Sequence, residues 1–90
     1  MQAAIEQIIK DIKQDLSFDS HFVIDRLLKK YPDQFLVFAS GIDATTNKTL
    51  AVVGQIGLEI SRQKGIERLG DAWSIDMLGN PAKCACWRKL

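Results

Sequence analysis

Cys84 and Cys86 stand one residue apart near the end of the chain and are its two cysteines; His21 is its one histidine. A Cys-x-Cys pair can serve a metal or a redox reaction. Zinc, however, takes four ligands in most structural sites and three protein ligands in most catalytic ones, drawn from Cys, His and carboxylate. Two cysteines with a histidine far away in sequence fall short of that pattern. A disulfide between residues so close would be strained. Free cysteine usually packs as a small apolar residue, and that is the expectation for Cys84 and Cys86. Nucleophilic catalysis needs a base beside the nucleophile and a third group to orient it. His21, flanked by Ser20 and followed by Asp25, does not make such a series; a capping or surface role is expected. The reading is of a protein that is not an enzyme, with no metal site and no cofactor.

Ninety residues form one domain, spanning 1–90. A chain of this size buries roughly 60–65% of its unfolded surface, enough for one modest core. Apolar residues make up 47% and charged residues 26%, the balance of a globular domain and not of a disordered one. The formal charge of +1 lacks the basic excess that marks many nucleic-acid binders. The first residues, Met1–Glu6, lack the basic start and apolar stretch expected of a signal peptide, and no apolar run is long enough to span a membrane. A cytoplasmic location with reduced thiols is expected.

Residues 3–16 carry Ile5, Ile8, Ile9, Ile12 and Leu16 at three- and four-residue steps, which predicts an amphipathic helix. Asp19 suits the N-cap of a second helix, with Phe18 before it and Val23 within it as a hydrophobic staple. That helix should bury Val23, Ile24, Leu27, Leu28 and Tyr31, and Pro32 should end it. Pro32 at the first position, Asp33 in the first turn and Gly41 after the end predict a short third helix, closed by a Schellman contact of Ile42 on Val37. A fourth helix is expected over 46–64, capped from within Asp43–Thr46 and followed by Gly65 at C′. Gly54 and Gly57 within it each cost about 1 kcal/mol of helix propensity, which close approach of another backbone would offset. The Gly-x-x-Gly that they form matches the loop of RNA-binding KH modules only superficially, since it falls inside this helix.

The period then changes to two. Trp73, Ile75 and Met77 alternate with Ser74, Asp76 and Leu78, as in a half-buried strand. Gly70-Asp71 is read as a turn back onto Ile66–Leu69, and Gly79-Asn80-Pro81 as a second turn. The last segment is either a third strand or a short helix capped by Asn80. The strand is preferred, with Ala85 and Trp87 on one side and the two cysteines on the other. The expected fold class is α+β: a cluster of three to four helices, then an antiparallel hairpin or small three-stranded sheet. This element order loosely resembles the winged helix-turn-helix class. The resemblance implies that the helix before the hairpin would enter the major groove with its N-terminal part.

Two functions follow as expectations. The first is a small non-catalytic module that binds a protein partner: an adaptor, inhibitor or accessory factor. Its candidate contacts are Trp73, Trp87, Arg88 and Lys89, because tryptophan and arginine dominate interface hot spots. A homodimer is compatible with the amount of apolar helix surface. The alternative, through the winged-helix resemblance, is DNA binding by Thr46, Asn47, Lys48, Arg62, Lys64 and Arg68. The two differ in salt response, which is steep where counterions are released.

Overall fold

Ile5, Ile8 and Ile9 line the buried side of the first helix, and the remaining core residues come from every other part of the chain. The computed structural model describes residues 1–43 and 46–90. In chain order the elements are α1 (Gln2–Lys10), β1 (Ser17–Asp19), α2 (Ser20–Lys30), α3 (Pro32–Ser40), α4 (Lys48–Ser61), β2 (Ile66–Ile75) and β3 (Pro81–Lys89). The expected α+β class and the C-terminal hairpin are present. The hairpin belongs to an antiparallel three-stranded sheet of order β1-β3-β2, in which β1 comes from between the first two helices.

The first helix is shorter than its apolar stripe. It ends at Lys10, leaving Ile12 half-buried and Leu16 exposed. Tertiary bonding accounts for the early stop. The Lys89 ammonium donates to the carbonyls of Ile9 and Ile12 at 2.7 and 3.2 Å, serving carbonyls that a continuing helix would have bonded. Asp15 N–H donates to the Lys89 carbonyl, and Lys89 N–H to that of Leu16, so the chain is already pairing with β3 before β1 begins. Three residues of strand carry too little periodicity to be read from sequence.

Around α2 and α3 the local signals hold. The Asp19 carboxylate accepts from Phe22 N–H at 2.8 Å, and Phe18 and Val23 are both in the core. Leu27 is fully buried, but Leu28 sits at the surface. Pro32 opens α3, and Phe35 anchors it. The expected Schellman closure does not form, because Gly41 has a right-handed φ of −79° and Val37 points into solvent.

Helix α4 is capped by Asn47, whose side chain accepts from Leu50 N–H at 3.0 Å. Ala44 and Thr45, part of the expected capping stretch, lie outside the described residues. The helix ends at Ser61 with Arg62 as its cap, so Gly65 belongs to the turn before β2. Val52, Val53, Ile56 and Ile60 face the core, while Leu50 and Leu58 face out. Its two glycines differ. A Cβ at Gly57 would lie 3.5 Å from Ser20 Oγ and 4.0 Å from the Trp87 ring, so side chains and not a backbone approach it; a Cβ at Gly54 would meet nothing within 4 Å. Gly54→Ala should therefore raise stability by up to about 1 kcal/mol through helix propensity alone. The check is a higher urea midpoint at unchanged slope.

The predicted turn at Gly70-Asp71 is instead the middle of one long strand. Arg68 pairs with Trp87 and Gly70 with Cys86, so Leu69 is an extra residue, and Gly70 has φ +112°. The true hairpin turn is at Asp76–Asn80, held by the Asp76 carboxylate accepting from Leu78 and Asn80 N–H at 2.9 Å each. Strand β3 buries both Cys84 and Trp87, which a flat strand would send to opposite faces. Bulges add twist, and this one lies between the two positions. Towards the hairpin tip, Ala72, Ser74, Ala82 and Cys84 are partly or fully buried, while Asp71, Trp73, Ile75 and Lys83 are exposed.

Candidate functional site

The tryptophans that sequence pairs as contact candidates part company in space. Trp87 is 2% exposed and stacks on Phe18 with ring centroids 5.9 Å apart. It is a core residue and offers nothing to a partner. Trp73 is 70% exposed. It lies on β2, which has β3 on one side and, among the described residues, no strand on the other. Arg88 is held by Asp15 and Glu67 at 3.2 and 3.3 Å, and Lys89 is spent on the end of α1.

The residues of the nucleic-acid alternative do not gather either. Asn47 caps α4, and Lys48 donates to the Ile42 carbonyl at 2.5 Å. Thr46 is exposed beside them. Arg62 pairs with Glu59 at the far end of the helix, about 20 Å away at 1.5 Å per residue. Arg68 pairs with Asp71 at 2.9 Å and lies over the Trp87 ring at 5.6 Å; Lys64 is exposed. Lys29 and Lys30 are paired to Asp25 and Asp11. Surface pairs like these add little stability, but each places an acid beside a base and dilutes any cationic face.

What the surface does carry is apolar. Along α4 the outward positions include Leu50, Gly54 and Leu58, and on the hairpin Trp73, Ile75 and Leu78 stand exposed. A groove of about 710 Å³ between α1, α2 and the sheet is lined by Ile12, Leu16, Phe22, Arg26 and Cys86, among others.

No family model, curated protein or solved structure matches the chain. Its functional reading rests on its own residues.

One constellation was missed by sequence reasoning. His21 is not at the surface; it is 6% exposed. Because Asp19 of β1 pairs with Cys86 of β3, the first turn of α2 falls next to Cys84. The Asp19 carboxylate, a His21 ring nitrogen and the Cys84 sulfur offer ligand atoms all within 4.8 Å of one another. Ser74 Oγ stands 2.6 Å from His21 Nδ1, while His21 Nε2 has no hydrogen-bond partner among the described residues. Burial raises the Cys84 thiol above the ordinary range, partly opposed by the backbone N–H groups of His21 and Ser20. Cys86 is raised as well, first by burial and then by the Asp19 charge. With their protons held, both are poor nucleophiles. The signal that could have found the cluster is the pairing of β1 with β3, which is not visible in three residues.

Proposed function

We propose that this chain is a non-catalytic module that binds a protein partner through the outer face of its hairpin, with Trp73 as the anchor and Ile75 beside it. The observation that supports this reading is a 70% exposed tryptophan on a sheet edge that no other strand among the described residues covers. Edge strands present free backbone donors and acceptors to an extended segment, and alternate side chains select it. A partner of matching chemistry is an extended segment whose apolar side chains lie on Trp73 and Ile75. The exposed leucines of α4 argue in the same direction. The helix that a winged-helix layout would turn towards DNA carries Leu50, Gly54 and Leu58 outward, a poor match for phosphates. A cytoplasmic setting, which keeps thiols reduced, suits the two free cysteines.

Trp73→Ala should weaken capture of the partner from host extract by more than about 1 kcal/mol, or at least about fivefold. Capture by the unaltered chain should persist at high salt and after nuclease treatment. Sedimentation at several concentrations identifies a second copy of the chain as the partner, in which case Trp73→Ala shifts the dimer to monomer. Capture that is nuclease-sensitive and lost with rising salt, with Trp73→Ala unchanged, would overturn the reading in favour of the winged-helix alternative.

A further inference from the structure

Asp19, His21 and Cys84 present three different donor atoms at one place. Asp19 is the last residue of β1 and the cap of α2. Its Oδ1 accepts from Phe22 N–H, which leaves the second oxygen for another bond. His21 is in the first turn of α2, and Cys84 is buried in the middle of β3. Carboxylate oxygen, imidazole nitrogen and thiolate sulfur together form the borderline-soft set that zinc accepts.

We propose that Asp19, His21 and Cys84 bind a zinc-class divalent ion, with the fourth position left to water. The ligand atoms lie within 4.8 Å of one another. The bond lengths of a tetrahedral zinc site require edges of about 3.3–3.6 Å, so the side chains need to close by no more than about 1.5 Å on binding. Asp19, at the half-exposed edge of the cluster, is the residue with room to move.

One further observation points to a ligand. His21 is more than nine-tenths buried, yet its Nε2 meets no protein group among the described residues, and a buried unpaired ring nitrogen is costly. In the tautomer that donates Nδ1–H to Ser74 Oγ, 2.6 Å away, the unpartnered Nε2 carries the lone pair a metal would take. Histidines that ligate a metal through one ring nitrogen usually donate the other N–H to a nearby oxygen. The charges also balance. On binding, the Cys84 S–H bond is replaced by a sulfur–metal bond and its proton leaves to solvent. Carboxylate and thiolate then supply two negative charges against the two positive charges of the ion, so a neutral unit is buried.

The test uses the reduced full chain after chelation and removal of the chelator, titrated with Co²⁺ and then with Zn²⁺. The expected result is one equivalent bound, with the visible bands of four-coordinate cobalt and a sulfur-to-cobalt charge-transfer band, both lost when zinc displaces cobalt. Cys84→Ser should abolish the charge-transfer band. Asp19→Asn, which keeps an oxygen for the α2 cap, should weaken binding by at least about tenfold. Ser74→Ala should weaken it about 10–100-fold without removing the band. Cys86→Ser is the control and should bind as the unaltered chain does, since its sulfur is outside the ligand group. Far-UV circular dichroism verifies each fold. Should Asp19→Asn fail to fold, Cys84→Ser against Cys86→Ser carries the test by itself. Folded protein without cobalt bands, or a charge-transfer band that survives Cys84→Ser, would overturn the site.

Discussion

Trp87→Ala should cost about 3–5 kcal/mol, the range for removing a buried large aromatic side chain. A domain of this length is stable by only about 5–13 kcal/mol at typical values per residue, so about a quarter of the total or more would go with one side chain. Position is the reason. Trp87 is paired across the sheet with Phe18 on one side and Arg68 on the other, and its ring reaches α4 at Gly57. It is thus where β1, β2 and a helix meet. The Phe18 ring, stacked at 5.9 Å and 23° to it, would face a void. Urea denaturation followed by circular dichroism should show a large drop in midpoint with little change in slope. Trp87→Phe should recover part of the loss by keeping an aromatic face against Phe18. Trp73→Ala supplies the contrast, since removal of an exposed side chain without structural partners should change stability by no more than about 0.5 kcal/mol. Equal losses at the two tryptophans would mean that the core does not close on Trp87.

These two residues also define how far sequence reaches in this protein. Both are strand tryptophans with small or polar neighbours, and nothing local separates the core one from the surface one. The separation comes from the twist of the ribbon between Cys84 and Trp87, which is set by pairing and a bulge. Signals that act within a few residues were legible: the Asp19 cap, Pro32 opening α3, the two-residue alternation around Trp73 and Ile75 in β2. Leu16 fits the stripe of Ile5, Ile8 and Ile9 as well as any residue. It leaves the helix because Lys89, from the other end of the chain, takes the carbonyls that would have continued it.

The candidate sites follow the same rule. Trp73 could be named from sequence because tryptophan in a half-buried strand is a contact candidate wherever it points. The Asp19–His21–Cys84 cluster could not, although each member was noticed singly. His21 and Cys84 become neighbours only once Phe18 is set opposite Trp87 and Asp19 opposite Cys86. That register brings the N-terminal turn of α2 down on β3. A search of the sequence by ligand spacing sees a histidine far from both cysteines and stops there. The basic residues follow pairing too: Asp11, Asp25, Glu59, Asp71 and Glu67 each take one, so the candidate DNA contacts Arg62 and Arg68 stand beside acids.

Gly70→Val should destabilise the protein by about 1–3 kcal/mol, and steric room is not the cause. A Cβ at Gly70 would meet nothing within 4 Å, the same as at Gly54. The difference lies in the backbone. Gly70 has φ +112°, where L side chains are rarely found, and β-branching makes the conformation worse. Gly54 is in ordinary helix, where alanine is an improvement. Two glycines with equally open surroundings should therefore respond with opposite signs. Relief of the strain at Gly70 would require the chain to give up the extra residue Leu69. That would move every later partner along β3, from Cys86 opposite Gly70 to Pro81 opposite Ile75. In a strand a one-residue slip turns side chains to the other face, so Trp73 and Ile75 would exchange with the small residues that cover Cys84. The folded state has no cheap escape, and the cost should appear as a lower denaturation midpoint. An unchanged midpoint for Gly70→Val would show that β2 pairs with β3 in a regular ladder and that the twist carrying both Cys84 and Trp87 inward has another origin.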